Sequence, residues 1–431
     1  MLKAFYENRL KKSRFYRNVM TLMSGTALAQ VLPVAALPVL SRLYTPEHFG
    51  TYGLFLSIST SLAVLATGRY ELAIPLPRKN EDAFHLVVLS ALLTAGFSLL
   101  ILILTFFARG PVSGVLKNPE ISGWLFGVSI SVLLLAGFQI LNYWANRNNR
   151  YRDMAAGRVI QTGLMVVTAL GLGFLHPGAG GLIVAGIAGQ LAAVLFMASR
   201  TFTREQRAGM TVRGAGLREQ ARRYEKFPRI NSMHALMDML QLNGIIFLIS
   251  AFFGQKVLGF YSMTMRVLRT PLSFVGTSIA QVFYQRMSSD YSAGKEIESL
   301  VRKTTVRLAI LAFPVFFTLF LAGPQLFSAV LGPEWREAGV YAKILAPWLY
   351  LNFIYSPVSQ LPLVLNRQGA GFFVGLGYNI LILAFVFIGY RTGDIRMGFT
   401  LISIFVTFYL IGTLVWLFWI SRQGRIAERN G

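Results

Sequence analysis

Cysteine is absent from this 431-residue chain, which excludes disulfide bonds and thiolate metal sites. Acid is scarce as well: 18 aspartates and glutamates stand against 41 lysines and arginines. The outer connections are short, the longest lying around 108–122. They carry no paired carboxylates, metal-ligand cluster or nucleophile elbow, so catalysis has no visible seat. Segments of alternating polarity, which a membrane β-barrel requires, are missing.

What remains is apolar. Hydrophobic residues make up 54% of the chain and charged residues only 14%, and apolar runs recur from Val19 to Ile420. A helix of about 20 such residues crosses the hydrocarbon core of a bilayer, and about twelve runs of that kind can be placed. They are 19–41, 51–75, 84–108, 123–144, 158–175, 180–199, 228–252, 258–285, 304–331, 338–365, 371–390 and 397–420. The expected fold is therefore an all-α integral membrane bundle. Its start is basic (Lys3, Arg9, Lys11, Lys12, Arg14, Arg17) and leads into a span longer than a signal-peptide core, so a retained segment 1–18 is expected. With its interleaved aromatics this segment suits either an anionic membrane surface or a tail that only sets topology.

The net charge of +23 follows topology. Most lysines and arginines fall on alternate connections, which the positive-inside rule assigns to the cytoplasm together with both termini. Nucleic acid is not an expected partner, because no recognition motif interrupts this pattern. The longest polar stretch, Ser199 to Arg229, divides the chain almost in half. The expected organisation is an N-lobe at 19–199, a cytoplasmic linker at 200–227, a C-lobe at 228–420 and a tail at 421–431.

An internal repeat supports two lobes of six helices. LSRLYTPEHFGTYGL from Leu40 aligns with ISAFFGQKVLGFYSM from Ile249, pairing Ser41 with Ser250 and Tyr52 with Tyr261. A weaker match pairs Asn146-Arg147 with Asn366-Arg367. Repeats of this kind are a feature of transporters that carry their substrate between the two halves.

Charge inside spans is expensive and commonly functional. Arg69 and Glu71 fall in the second expected span, where helical geometry would point them to different sides and prevent mutual pairing. Arg266 and Arg269, three apart, share a face of the eighth, with Pro271 placed to open the backbone after them. Asp238 and His234, four apart in the seventh, form a candidate proton or sodium site; a helix–helix hydrogen bond is the alternative reading. The six tryptophans fall mostly near span ends, where membrane-interface belts are expected. The small-residue run Gly178 to Gln190 suits close helix packing.

Three stretches carry a family resemblance: Ala27 to Pro77, including YTPEHFGTYGL and RYELAI; NRNNRYRDMAAGRVIQTG from Asn146; and FFGQKVLGFYSMTMRVLRTPLSFVGTSIAQVF from Phe252. They resemble the Wzx-type polysaccharide and O-antigen flippases of the multidrug/oligosaccharidyl-lipid/polysaccharide exporter superfamily. The resemblance implies a V-shaped bundle of two six-helix lobes around a central cationic cavity. It also implies transfer of undecaprenyl-pyrophosphate-linked oligosaccharide across the bacterial inner membrane, for O-antigen, capsule or exopolysaccharide. Arginine suits such a cargo, because its planar fork binds phosphate oxygens bidentately. Candidate substrate contacts are Arg69, Arg266, Arg269, Arg42, Arg147 and Arg158, with Gln30, Asn142 and Asn146 as further polar points; Arg147 and Arg158 equally satisfy the positive-inside rule. Candidate ion-coupling residues are Asp238, His234 and Glu71. No cofactor or metal is expected, only a proton or sodium ion as coupling ion. Expected partners are the lipid-linked oligosaccharide and anionic membrane lipids, with a polysaccharide polymerase and chain-length proteins as further candidates. A drug or metabolite antiporter of the same superfamily, and a membrane polysaccharide polymerase, are the competing functions.

Overall fold

The computed structural model describes residues 2–201, 212–293 and 296–423. Side chains of the basic N-terminal segment, residues 202–211 of the linker and the tail beyond 423 lie outside the described residues. Within them the chain is helical and contains no strand. Ten helical segments are long and apolar enough to cross a membrane, so the chain is an all-α multi-pass membrane protein. It folds as two compact units, Met1–Gln255 and Lys256–Gly431. The boundary falls beside Gly254, where two helices meet, further along the chain than the polar linker.

The first unit holds α1 (Leu2–Leu43), α2 (Pro46–Ala66), α3 (Asn80–Val115), α4 (Ile121–Arg147), α5 (Tyr151–Leu175) and α6 (Ala179–Thr201). The short amphipathic α7 (Gly214–Arg223) and the first half of α8 (Ser232–Ser292) complete it. Helix α5 packs on α1 and α6, α4 packs on α2, α3 and α6, and α7 lies against α3. Water drives no association between helices in lipid, so close approach of backbones has to supply it. The small-residue run does this: a Cβ on Gly180 would come within 2.3 Å of Trp124, and one on Gly189 within 2.3 Å of the Gln161 carbonyl. Lipid-facing positions are the inverse. Leu92, Leu99, Leu104, Phe106 and Phe107 of α3 are exposed, as a bilayer solvent allows.

Three expectations change. The second span stops at Ala66, because Gly68 and Arg69 both take left-handed backbone angles (φ 58° and 61°). A 3-10 turn, Tyr70–Ala73, follows, so Arg69-Tyr70-Glu71 is a loop motif and not the interior of a span. The seventh and eighth expected spans stand as two helices of α8 that meet at a sharp break at Gly254 (φ 79°, ψ −175°), but the second stays helical past Pro271, where an opening of the backbone was expected. Trp144, Trp335 and Trp348 are fully buried packing residues, not members of an interface belt; Trp419 remains exposed.

The second unit holds the rest of α8, α9 (Glu298–Leu331), α10 (Arg336–Val358), the four-residue α11 (Leu361–Val364) and α12 (Gln368–Thr392). Its last stretch is α13 (Ile395–Leu401), a π-turn (Ile402–Val406) and α14 (Thr407–Gln423). Helix α10 is not among the ten apolar candidates. Its composition explains this: it carries Arg336, Glu337 and Lys343, and it buries Tyr341, Leu345, Trp348 and Leu349 against its neighbours. A helix wrapped by protein need not be lipid-soluble.

The internal repeat has a structural counterpart. The break between α1 and α2 at Thr45 falls at the repeat position of Gly254, and Tyr52 and Tyr261 are both buried. The weaker match shifts by three residues. Asn149-Arg150, not Asn146-Arg147, corresponds to Asn366-Arg367: each asparagine is left-handed (φ 56° and 54°). In each case the arginine amide donates to the carbonyl five residues back, 2.8 Å to Ala145 and 2.7 Å to Pro362, and a helix then starts. Asparagine tolerates this conformation better than most residues.

Candidate functional site

The polar residues of the first unit converge on a cavity of about 450 Å³ between α4 and α5, lined by Gln139, Asn142, Tyr143, Asn146, Arg158 and Gln161, with Leu135, Phe138 and Met154 as apolar walls. Helical periodicity builds it. Gln139, Asn142, Tyr143 and Asn146 recur at three- and four-residue spacing on one face of α4, and Met154, Arg158 and Gln161 do so on α5. Arg158 donates from Nη1 to Thr26 Oγ1 of α1 at 2.8 Å. Asn142 Nδ2 donates to the Phe138 carbonyl at 2.8 Å, leaving its buried Oδ1 without a partner. One turn beyond Thr26, Gln30 Oε1 is also buried and unpartnered.

The α2–α3 turn adjoins this cavity through Tyr143, which lies within electrostatic reach of both Glu71 and Arg69. Glu71 is 2% exposed. It accepts from Thr67 Oγ1, and its Oε1 lies 3.3 Å from Arg69 Nη1. The two do pair, because a left-handed residue and a 3-10 turn replace the α-helix that would have separated them. Burial pushes the Glu71 carboxyl above its ordinary range, with Thr67 and Arg69 opposing. Around the turn, Tyr70, Ala73 and Ile74 pack with Leu86, Ile140 and Trp144, and the Tyr70 hydroxyl donates to the Ala221 carbonyl of α7 at 3.1 Å.

Arg147, a candidate substrate contact, is committed to this loop. Its guanidinium donates to the carbonyls of Ile74 (3.3 Å) and Pro75 (3.2 Å) and to Asn80 Oδ1 (3.1 Å). Arg42 is exposed at the end of α1, where its Nη1 donates to the Pro38 carbonyl. That position favours a cation at the helix terminus. Asp238 and His234 sit one turn apart on α8 and are both exposed.

In the second unit Arg266 is half-buried and Arg269 exposed. The Arg269 guanidinium lies 5.6 Å from the centroid of the Trp348 ring, and Trp348 Nε1 donates to the Tyr378 hydroxyl at 3.1 Å. A separate apolar cavity of about 660 Å³ involves Val267, Leu268, Leu311 and Phe353; by helical spacing it lies on the face of α8 opposite the two arginines.

Of the sequence candidates, then, Arg158, Asn142 and Asn146 come together, Arg69 and Glu71 join them through Tyr143, and Arg42, Arg147, Asp238 and His234 stand apart. Gln139, Tyr143 and Gln161 carry no charge to single them out in the sequence; their helical spacing relative to Asn142 and Arg158 is the signal that marks them. Among the described residues no cluster of histidine and acid could hold a metal ion.

Solved structures agree on the fold. An inward-facing multidrug resistance MATE family transporter of the MOP superfamily matches with a TM-score of 0.69 at 15% identity, covering 94% of this chain and 95% of the other. The lipid II flippase MurJ, inward closed, gives 0.68 at 13% identity over 94% and 91%. A MOP superfamily transporter from Pyrococcus furiosus gives 0.60 at 14% identity over 96% of both. The chain thus has the fold that these transporters and the MurJ flippase share. Its family is more specific: the profile described as "Polysaccharide biosynthesis protein" matches residues 39–339, and the chain belongs to that family. The teichuronic acid biosynthesis protein TuaB of Bacillus subtilis (strain 168) is 23% identical over 184 residues, 42% of this chain and 37% of TuaB. That match spans well under half of the relative's length.

Proposed function

We propose that the protein moves undecaprenyl-pyrophosphate-linked oligosaccharide from the cytoplasmic to the periplasmic leaflet of a bacterial inner membrane, by alternating access and without covalent chemistry. The observation that carries this reading is the amide-rich cavity with Arg158 between α4 and α5, in a chain of the polysaccharide biosynthesis family. A glycan head group cannot cross hydrocarbon unaided, whereas a polyprenyl tail can stay in the bilayer; a polar cavity within helices meets the first need. Arg266 and Arg269 are the proposed partners of the pyrophosphate, since guanidinium groups hold phosphate as charge-assisted pairs.

The proposed coupling ion is a proton, and its proposed acceptor is Glu71. Burial favours this carboxyl over Asp238 beside His234, which lie exposed. A proton bound at Glu71 would bias the populations of the two access states rather than drive a chemical step. Reconstitution of the full chain in proteoliposomes with lipid-linked oligosaccharide tests the reading, with lectin access to the glycan reporting its leaflet. Accelerated crossing that depends on the protein is expected. Protein-dependent efflux of a cationic dye with no glycan crossing would instead establish a small-molecule antiporter.

A further inference from the structure

We infer that the α4–α5 cavity is a sugar-reading subsite: it binds the glycan of the cargo through amide groups and does not serve as the phosphate site. The inference rests on the proposed function and assigns one part of the cargo to one set of side chains.

Hydrogen-bond accounting carries it. Asn142 Nδ2 donates to the Phe138 carbonyl at 2.8 Å. A carbonyl only accepts, so this bond fixes the orientation of the amide and identifies the orphaned atom as the acceptor Oδ1. A buried acceptor left unmet costs about 1–3 kcal/mol, and only a donor relieves it. A pyrophosphate bears acceptor oxygens and would add repulsion at this atom; a sugar hydroxyl or N-acetyl N–H supplies the hydrogen.

The rest of the lining agrees. Gln139, Asn146 and Gln161 each offer both a donor and an acceptor, which matches hydroxyl groups that are themselves both. Tyr143 presents an aromatic ring with a polar tip, suited to the apolar face of a pyranose. Among the described residues Arg158 is the sole cation of the lining, and part of its fork is already held by Thr26 Oγ1 at 2.8 Å. A single, partly engaged guanidinium is a poor match for the charge of a pyrophosphate. The volume of about 450 Å³ lies in the range of small-molecule sites and has room for a short glycan.

The test compares two probes on the purified full chain by native mass spectrometry. One is the undecaprenyl-pyrophosphate-linked oligosaccharide pool of the source cell, and the other is synthetic undecaprenyl pyrophosphate. Wild type is expected to prefer the glycan-bearing lipid by about tenfold, the worth of roughly one well-made hydrogen bond. Asn142→Leu, and independently Gln161→Leu on the facing helix, are expected to reduce that preference to about twofold or less while leaving affinity for the bare lipid unchanged. Equal loss for both probes in either variant would overturn the inference by making the cavity a phosphate or lipid site, as would a wild type indifferent to the glycan. A wild type that binds neither probe refutes the proposed function itself. The melting temperature of each variant in detergent serves as the control for folding.

Discussion

Glu71 and Arg69 lie two residues apart with Oε1 and Nη1 separated by 3.3 Å, a contact that an α-helix would forbid and a left-handed arginine permits. The carboxyl is nonetheless raised above its ordinary range, because desolvation outweighs the help from Thr67 and Arg69. The sign of the linkage follows. The folded state holds this proton more tightly than the unfolded chain, so the contribution of Glu71 to stability is greatest at acidic pH and declines as pH rises from the ordinary glutamate value toward the raised one. Glu71→Gln is expected to flatten that decline, raising the melting temperature in detergent at pH 8 relative to wild type while leaving it nearly unchanged at pH 4. In proteoliposomes the same variant is expected to lose the pH dependence of transport, whereas Asp238→Asn is expected to keep it. A pH profile unchanged by Glu71→Gln would remove Glu71 from the coupling role.

Arg147 illustrates how a charge can serve the fold beside the candidate cavity. Its fork spans the carbonyls of Ile74 and Pro75 and the Asn80 side chain, tying the end of α4 to the loop that presents Glu71. Arg147→Gln is expected to destabilise the protein by about 1–3 kcal/mol, because several loop carbonyls lose a charged donor. Arg147→Lys is expected to recover only part of this, since an ammonium cannot bridge the same acceptors as a planar fork. Thermal unfolding reads both effects. Substrate preference is expected to stay unchanged, which separates this arginine from Arg158.

The membrane architecture was legible because continuous apolar runs have few alternative readings, and most observed helices fall on the expected spans. Errors arose where local backbone geometry competed with hydropathy. Leu72, Ala73 and Ile74 read as a continuing span, although Gly68 and Arg69 had already ended the helix. In NRNNR the repeat match points to Asn146-Arg147, while the left-handed residue is Asn149; sequence alone does not say which asparagine carries positive φ. The candidate site was half legible for a different reason. Glu71 stands out as a charge within an expected span and Arg158 as a cation of an inner connection, whereas neutral Gln139, Tyr143 and Gln161 show their meaning only when two helix faces are set opposite each other.

Arg266 and Arg269 share a face of α8, and the latter lies over the Trp348 ring at 5.6 Å. If they hold the pyrophosphate, Arg266→Glu with Arg269→Glu is expected to abolish glycan crossing while the protein still inserts and purifies as a folded chain. Replacing both with lysine is expected to retain part of the activity, because charge survives and bidentate geometry does not. Normal glycan export by the double charge reversal would place the phosphate elsewhere.

Gly254 breaks α8 with φ 79° and ψ −175°, a combination that L-residues essentially never adopt. The bend is held from outside: the Leu116 carbonyl accepts from Ser250 Oγ at 2.9 Å and from Gln255 Nε2 at 3.1 Å. No atom outside the neighbouring backbone lies within 4 Å of where a Cβ would stand, so any penalty for alanine is conformational rather than steric. Gly254→Ala is expected to cost about 1–3 kcal/mol and to slow transport, since a helix straightened here would pull Ser250 and Gln255 off Leu116. Gly171→Ala is the matched control. It too has open space at the Cβ position but lies inside α5 with ordinary helical geometry, where alanine is favoured over glycine by up to about 1 kcal/mol. Melting temperatures that fall for the first variant and hold or rise for the second would locate the cost in the backbone bend. Equal effects would mean that the bend is not strained against other residues, and that the repeat break at Thr45 and Gly254 is maintained by packing rather than by glycine.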